Sequence, residues 1–360
     1  MTLRIGMIGL TNPHSRAHLS TLDTHDRVTE IAAYDPDAAA RARAAENWPK
    51  IDATYDDVDA LLARDDMPIV LVHLPNNQAS EVSIKAARAG KHVMCEKPCA
   101  RNAEEFRPVI EELERRQLQF TTFYNWRRHP AVRKMRELIV AGVLGRLTSI
   151  ELRIVTTQVR LRDPSHWIFK RDLTGGGILS WLACHYIDMM RYLTGQEVAS
   201  VAALAGTVSG EDISVEDVAS VSFRLTGGAL ASLHAGYLLS TGRAGYEGAR
   251  NDTALIFRGT HGTLSLVERR GQPVVKLQTI ASDWKTAPEQ AFRFALPAVE
   301  AYGGAHGLAF VDDFIQASLD GVGQPSVTAD DALKLLEILD AIYLSVEREQ
   351  VVHMLSLIHI

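Results

Sequence analysis

The sequence predicts an α/β chain in two parts: an N-terminal doubly wound parallel sheet, then an α+β domain on a large, mostly antiparallel open sheet. Three observations predict it. Apolar runs alternate with helical patterns over the first third of the chain. Longer alternating runs, separated by glycine-bearing turns, fill the middle. A chain of 360 residues also exceeds what one hydrophobic core ordinarily organises. The expected division is residues 1–123, residues 124–350 and a tail at 351–360.

The elements follow in order. Strands are expected at 3–8, 28–34, 69–74, 92–95 and 119–123, with helices at 15–22, 36–46, 57–64, 78–89 and 103–116 between them. The run at 69–74 is almost continuously apolar, as a strand buried on both faces requires. Gly90 stops the helix before it. Beyond residue 130 the pattern changes. A helix at 130–141, a strand at 147–159, a helix at 179–193 and strands at 218–225, 229–238, 253–258 and 262–266 form the second domain. Helices at 307–319 and 329–346 close the chain. The apolar stretch from His353 to Ile360 is either a packed tail or an appended remnant.

Composition narrows the function classes. Hydrophobic residues make up 46% and charged residues 23%, the balance of a globular protein in water. A net charge of −6 without a basic arm argues against a nucleic-acid surface. No leader pattern and no bilayer-length apolar segment is apparent, so a cytoplasmic protein is expected. Cys95, Cys99 and Cys184 form neither a disulfide framework nor a zinc spacing. No metal is expected, because His, Asp and Glu do not cluster at ligand spacing along the chain.

The first strand runs into Gly6-Met7-Ile8-Gly9-Leu10-Thr11-Asn12-Pro13-His14-Ser15 and then a helix. A dinucleotide pyrophosphate binds at such a turn, on backbone N–H groups of the helix start. Gly9 suits the tight turn. Thr11 stands where a second glycine is usual, and Thr11 and Asn12 can donate hydrogen bonds to phosphate themselves. Asp35, at the end of the second strand, can accept both hydroxyls of an adenosine ribose and repel a 2′-phosphate. That favours NAD over NADP. An Asx turn with Pro36 is a second role for the same carboxylate.

Val93-Met94-Cys95-Glu96-Lys97-Pro98 is the sharpest signal. An apolar strand delivers Glu-Lys-Pro at its carboxyl end, where open α/β sheets bind ligands. A partly desolvated lysine beside a cationic nicotinamide favours its neutral form and can take a hydroxyl proton as hydride leaves the same carbon.

Together with Pro75-Asn76 after the preceding strand and Gly175-Gly176-Gly177 before a helix, this tripeptide resembles the Gfo/Idh/MocA oxidoreductases over residues 3–348. The resemblance implies a Rossmann domain, Lys97 as catalytic acid/base, Glu96 seating the cofactor, and Leu74, Pro75 and Asn76 lining it. Ala79 replaces a histidine common in the family. Tyr124 to Pro130 matches the segment leading into the second domain, with Tyr124 and Arg127 as substrate candidates. His185 falls at the family's catalytic histidine, with Asp188 three residues on. Trp181 replaces an aspartate one turn earlier, removing a proton relay but offering an aromatic face to a sugar ring. Trp167, with His166 and Lys170, either rims the pocket or lies in a plain surface loop. Tyr237 is expected in core or interface, and Glu216-Asp217 in a structural role.

The resemblance implies hydride transfer between NAD and a secondary alcohol of a sugar, polyol or related cyclic compound. Two alternatives stand beside it: a glycoside hydrolase or lyase that retains NAD and acts by transient oxidation, and a non-catalytic ligand-binding member of the fold. A homodimer or homotetramer is expected through an exposed apolar face of the second sheet.

Overall fold

Short apolar runs become the strands of a parallel sheet. The computed structural model describes residues 3–242, 249–269 and 272–354. Its first unit holds β1 (Leu3–Ile8), α1 (Ser15–Thr24), β2 (Val28–Tyr34), α2 (Ala38–Asn47), β3 (Ile51–Tyr55), α3 (Val58–Leu62), β4 (Ile69–Val72), α4 (Asn76–Arg88), β5 (His92–Cys95), α5 (Ala103–Arg115) and β6 (Phe120–Thr122). The strands are ordered β3-β2-β1-β4-β5-β6 and all pair parallel. This is a doubly wound order with its switch point at β1 and β4. All of β4 is buried, as its unbroken apolar run requires. β3 escapes the sequence pattern because its residues alternate between half-buried and exposed at the sheet edge.

The second unit contains α6 (Pro130–Val140), β7 (Leu147–Thr157), the single turn α7 (Arg171–Thr174), α8 (Cys184–Thr194), β8 (Val198–Gly206), β9 (Val218–Leu225), β10 (Leu230–Leu239), β11 (Asn251–Gly259), β12 (Gly262–Arg269), β13 (Gln272–Thr279) and β14 (Glu289–Arg293). The chain continues through α9 (Ala305–Ile315) and α10 (Ala329–Arg348) to β15 (Val352–His353). Nine strands form one sheet, β14-β13-β12-β11-β7-β10-β9-β8-β15. Only β7 and β10 pair parallel within it. One face is core: Val221, Phe223, Leu233, Ile150 and Leu152 are each at most 2% exposed. The other face differs from expectation. Ser220, Ser222, Arg224, Ser232 and His234 are exposed there beside Leu204 and Leu230, so it is mixed rather than apolar.

The compact units are Met1–Arg128 with Leu296–Leu336, and His129–Ala295 with Glu337–Ile360. The first unit thus reaches past residue 123 and recovers a late segment that pattern alone places in the second domain. Side chains explain this. The Tyr302 backbone N–H donates to Thr21 Oγ1 (2.7 Å), Arg27 pairs with Asp320 (2.7 Å), and Arg127 pairs with Asp331 (2.9 Å). At the far end Val352 is buried and paired with Val201. The remainder of the expected tail, from residue 355, lies outside the described residues.

His129 gives a test of acid stability. Its Nδ1 accepts the Ala131 N–H (3.1 Å) and caps α6. Burial pulls the imidazole from 6.5 down to about 4. The unfolded chain therefore takes up the proton first as pH falls, so stability present above about 6.5 is lost progressively toward pH 4. The effect is at most about 3 kcal/mol. Urea melts across that range should decline less steeply for His129→Asn, which keeps a cap without the titration.

Candidate functional site

In the first unit the site is built at the carboxyl ends of β1, β4 and β5. Gly9 has φ +99°, and a Cβ there would lie 2.5 Å from the His73 carbonyl oxygen. Ile8 and Val72 are register partners, so the residues that follow them are forced together and only glycine fits. Asn12 is buried: its Oδ1 accepts the His14 N–H (3.0 Å) and its carbonyl accepts the Ser15 N–H (2.9 Å). Thr11 is exposed. Asp35 is 2% exposed and ties the loop to β2: Oδ2 accepts the Leu10 N–H (2.7 Å) and Oδ1 the Asp37 N–H (2.9 Å). The second contact is the Asx turn expected at Pro36. Each oxygen keeps a further lone pair for a ribose hydroxyl. Leu74 and Pro75 are half-buried, while Asn76 opens α4 and is buried.

Val72 and Cys95 are register partners, so His73 and Glu96 leave adjacent strands side by side. His14, at the N-cap of α1, and His18, within it, bring two more imidazoles one turn apart. His14 Nδ1 lies 2.8 Å from Glu96 Oε1, and His18 Nε2 3.0 Å from Oε2. His73 Nε2 lies 3.5 Å from Oε2. Tyr302 packs on the His14 and His18 rings, with centroids 4.9 and 4.3 Å away. Burial alone would push the Glu96 carboxyl up; His14, His18 and Lys97 outweigh it and hold the group well below the usual carboxylate range. Burial pulls all three imidazoles down, His73 furthest. The cluster is therefore one carboxylate among neutral imidazoles. The Lys97 side chain is fully buried, its Nζ 3.8 Å from Glu96 Oε1.

Residues that show no ligand spacing along the chain come together in space. His18, His73 and Glu96 each offer an atom within 4.8 Å of the others, and all are buried. Sequence separation hid them. The usable signals were the i, i+4 histidines of α1 and the position just after each of two adjacent parallel strands.

Tyr124 is 2% exposed. The Arg127 guanidinium, a substrate candidate by resemblance, is engaged within its own unit by Asp331 (2.9 Å) and the Ser326 carbonyl (3.0 Å).

The second unit carries the candidates Trp167, Trp181, His185 and Asp188. A Cβ on Gly177 would lie 2.1 Å from the Glu216 carbonyl oxygen, so this glycine serves close packing inside its own unit. Both Glu216 carboxylate oxygens accept the Gly177 N–H at 2.9 Å, and Oε1 also accepts the Leu179 N–H and the Tyr343 hydroxyl, each at 3.0 Å. Burial pushes the Glu216 carboxyl up, and these hydrogen bonds oppose it. The expected helix at 179–193 opens instead with a π-turn, Leu179–Ala183, before α8. The wider turn alters the simple i, i+4 relation between Trp181 and His185. Trp181 is 2% exposed and meets the half-buried Trp167 edge to face, centroids 5.9 Å apart. Its ring is thus part of the packing. His185 and Asp188 are both buried on α8. Tyr237 is core, packed on Phe169 at 5.5 Å. Asp217 accepts the Val208 N–H (2.9 Å) and the Ser209 N–H (3.1 Å), the structural role expected of it. Lys170 is exposed. Cys95, Cys99 and Cys184 are buried free thiols. Among the described residues no helix is long and apolar enough to cross a membrane.

Known proteins share both halves. Residues 3–124 match the profile described as "Oxidoreductase family, NAD-binding Rossmann fold", and residues 132–265 that of the "GFO/IDH/MocA C-terminal domain". The chain is 28% identical to levoglucosan dehydrogenase of Pseudarthrobacter phenanthrenivorans over 351 residues, covering 89% of this chain and 87% of that protein. It is 26% identical to inositol 2-dehydrogenase of Rhizobium meliloti over 358 residues, covering 98% and 99%. A solved levoglucosan dehydrogenase complex with NADH and levoglucosan shares the fold, with a TM-score of 0.85, 24% identity, and coverage of 98% of this chain and 100% of that one. The turn at Gly9, the carboxylate at Asp35 and the Glu96–Lys97 pair fit a nicotinamide dinucleotide. The chain belongs to the Gfo/Idh/MocA family of oxidoreductases, and its first unit is an NAD-binding Rossmann fold.

Proposed function

We propose that this enzyme transfers a hydride between NAD and a secondary alcohol of a sugar, polyol or related cyclic compound, with Lys97 moving the hydroxyl proton. The observation that carries the assignment is the burial of Lys97 directly beside the clamped carboxylate of Glu96. Bound NAD supplies the hydride acceptor. Gly9 and the exposed Thr11 leave room and a donor for its pyrophosphate, and Asp35 offers lone pairs to the ribose. Leu74, Pro75 and Asn76 line the cofactor and Glu96 seats it. Lys97 Nζ accepts the proton of the reacting hydroxyl in oxidation and returns it in reduction. His185, on α8, donates or accepts a hydrogen bond at that hydroxyl. Tyr124, Trp167, Trp181 and Asp188 shape substrate preference. Arg127 keeps a place among these only through the segment it belongs to, since its charge is already paired. The relatives are named for anhydro sugars and inositol, which supports cyclic polyols as the substrate class.

The test supplies purified enzyme with NAD⁺ and a panel of inositols, anhydro sugars and aldoses and follows absorbance at the NADH band. Net NADH formation on at least one cyclic polyol is expected. Cofactor that copurifies, never exchanges and accompanies glycoside cleavage would replace this reading with redox-assisted cleavage.

The buried free thiols fit a reducing, cytoplasmic compartment. A homodimer or homotetramer through the free sheet face is supported by a groove of about 800 Å³ there, lined by residues including Glu151, Arg153, Ser222, Ser232 and His234. Light scattering at the monomer mass would remove it.

A further inference from the structure

We propose that His18, His73 and Glu96 form a binding site for a divalent transition-metal ion, zinc being the first candidate, in the core of the NAD-binding unit.

The two oxygens of Glu96 face different surroundings. Oε1 meets His14 Nδ1 at 2.8 Å and Lys97 Nζ at 3.8 Å. Oε2 meets His18 Nε2 at 3.0 Å and His73 Nε2 at 3.5 Å. Both oxygens are hydrogen-bonded, Oε1 to His14 and Oε2 to His18. On the Oε2 side two imidazole nitrogens converge on one oxygen, and His73 Nε2 makes no hydrogen bond although its side chain is fully buried. A buried polar atom without a partner is costly and rare, and an unseen ion is one of its recognised explanations.

Spacing and chemistry suit an ion. Ligands held at roughly 2.0–2.1 Å around a tetrahedral zinc stand about 3.3 Å apart. The two edges here are 3.0 and 3.5 Å, and the third lies within 4.8 Å. Two histidines and one carboxylate are an established ligand set for zinc and for non-haem iron, leaving further positions for water. Outer contacts that orient such ligands are also present. His14 holds the far oxygen of Glu96, and Ser15 Oγ lies 3.4 Å from His73 Nδ1. The His18 ring is fixed between His73, Phe123 and Tyr302, with centroids 4.2 to 4.3 Å away. Three ligands, one from α1 and one just after each of β4 and β5, would pin helix to sheet at the switch point. That is a structural service on the Oε2 side of Glu96, away from the oxygen nearest Lys97, and it is readable without substrate or NAD.

The experiment uses the tag-free full chain, stripped with chelator and titrated with Zn²⁺ and Co²⁺. One equivalent per chain is expected, with visible Co²⁺ d–d absorption that Zn²⁺ displaces and a rise in Tm of about 5 °C at saturating Zn²⁺. His73→Gln and His18→Gln should each weaken uptake at least about tenfold, with circular dichroism confirming that the variants fold. Wild-type protein that is folded yet takes up no Co²⁺ and shows no Tm shift overturns the site. So does stoichiometric uptake that both variants retain. The Co²⁺ spectrum of the wild type decides even if a variant does not fold.

Discussion

Lys97→Ala will lower turnover at least about 100-fold while NADH affinity stays within about tenfold. The magnitude is that of lost acid–base catalysis, roughly 10²- to 10⁴-fold. The separation between turnover and binding follows from the local structure. Glu96 is positioned by His14 at 2.8 Å and His18 at 3.0 Å, not by Lys97 at 3.8 Å. Removing the amine therefore leaves the carboxylate in place, and Gly9 and Asp35 are untouched. What disappears is the only group assigned to take the hydroxyl proton. Lys97→Arg sharpens the test. A guanidinium keeps the positive charge but cannot be deprotonated at working pH, so it should not restore turnover. Stopped-flow NADH binding and steady-state rates on the best polyol of the panel separate the two effects. Turnover within a factor of about three of wild type in Lys97→Ala would remove Lys97 from the mechanism, whatever the fate of the metal site.

Much of the first unit was legible because buried parallel strands cannot disguise themselves. Ile69 to Val72 and Val93 to Cys95 must be apolar on both faces, and open α/β sheets bind ligands at strand carboxyl ends, so Glu96 and Lys97 stand out. Half-exposed strands carry no such constraint. β3 at the sheet edge, the alanine-rich β8, and β13 and β14 at the opposite margin of the large sheet follow weak patterns that tertiary pairing completes. The late segment around Tyr302 was misplaced for a related reason. Its attachment is made by contacts such as Tyr302 to Thr21, Asp320 to Arg27 and Asp331 to Arg127, which connect residues far apart in sequence. The site divided along the same line. Contiguous motifs name candidates such as Glu96 and Lys97 directly, whereas the pairing of His73 with Glu96 needs strand register, and the π-turn at Leu179–Ala183 is met by a carboxylate distant in sequence, Glu216.

That carboxylate sets the second large effect. Glu216→Ala will destabilise the protein by about 3–5 kcal/mol and lower Tm by on the order of 10 °C. The side chain accepts the Gly177 and Leu179 N–H groups and the Tyr343 hydroxyl, and it is 3% exposed. Alanine would leave two buried backbone donors, the Gly177 and Leu179 N–H groups, without an acceptor, each costing about 1–3 kcal/mol, while the Tyr343 hydroxyl would keep Ser180 Oγ at 3.0 Å. Glu216→Gln keeps one oxygen where Leu179 and Tyr343 can reach it and should cost about half as much. Glu216 accepts the Gly177 and Leu179 N–H groups at the start of the π-turn that leads into α8, so under the proposed function it is a positioning residue for His185. At a temperature where the glutamine variant is folded, turnover should fall several-fold with little change in NADH affinity. A stability loss with turnover per folded molecule unchanged would reduce Glu216 to a purely structural cap and leave the position of His185 to be explained by α8 packing alone.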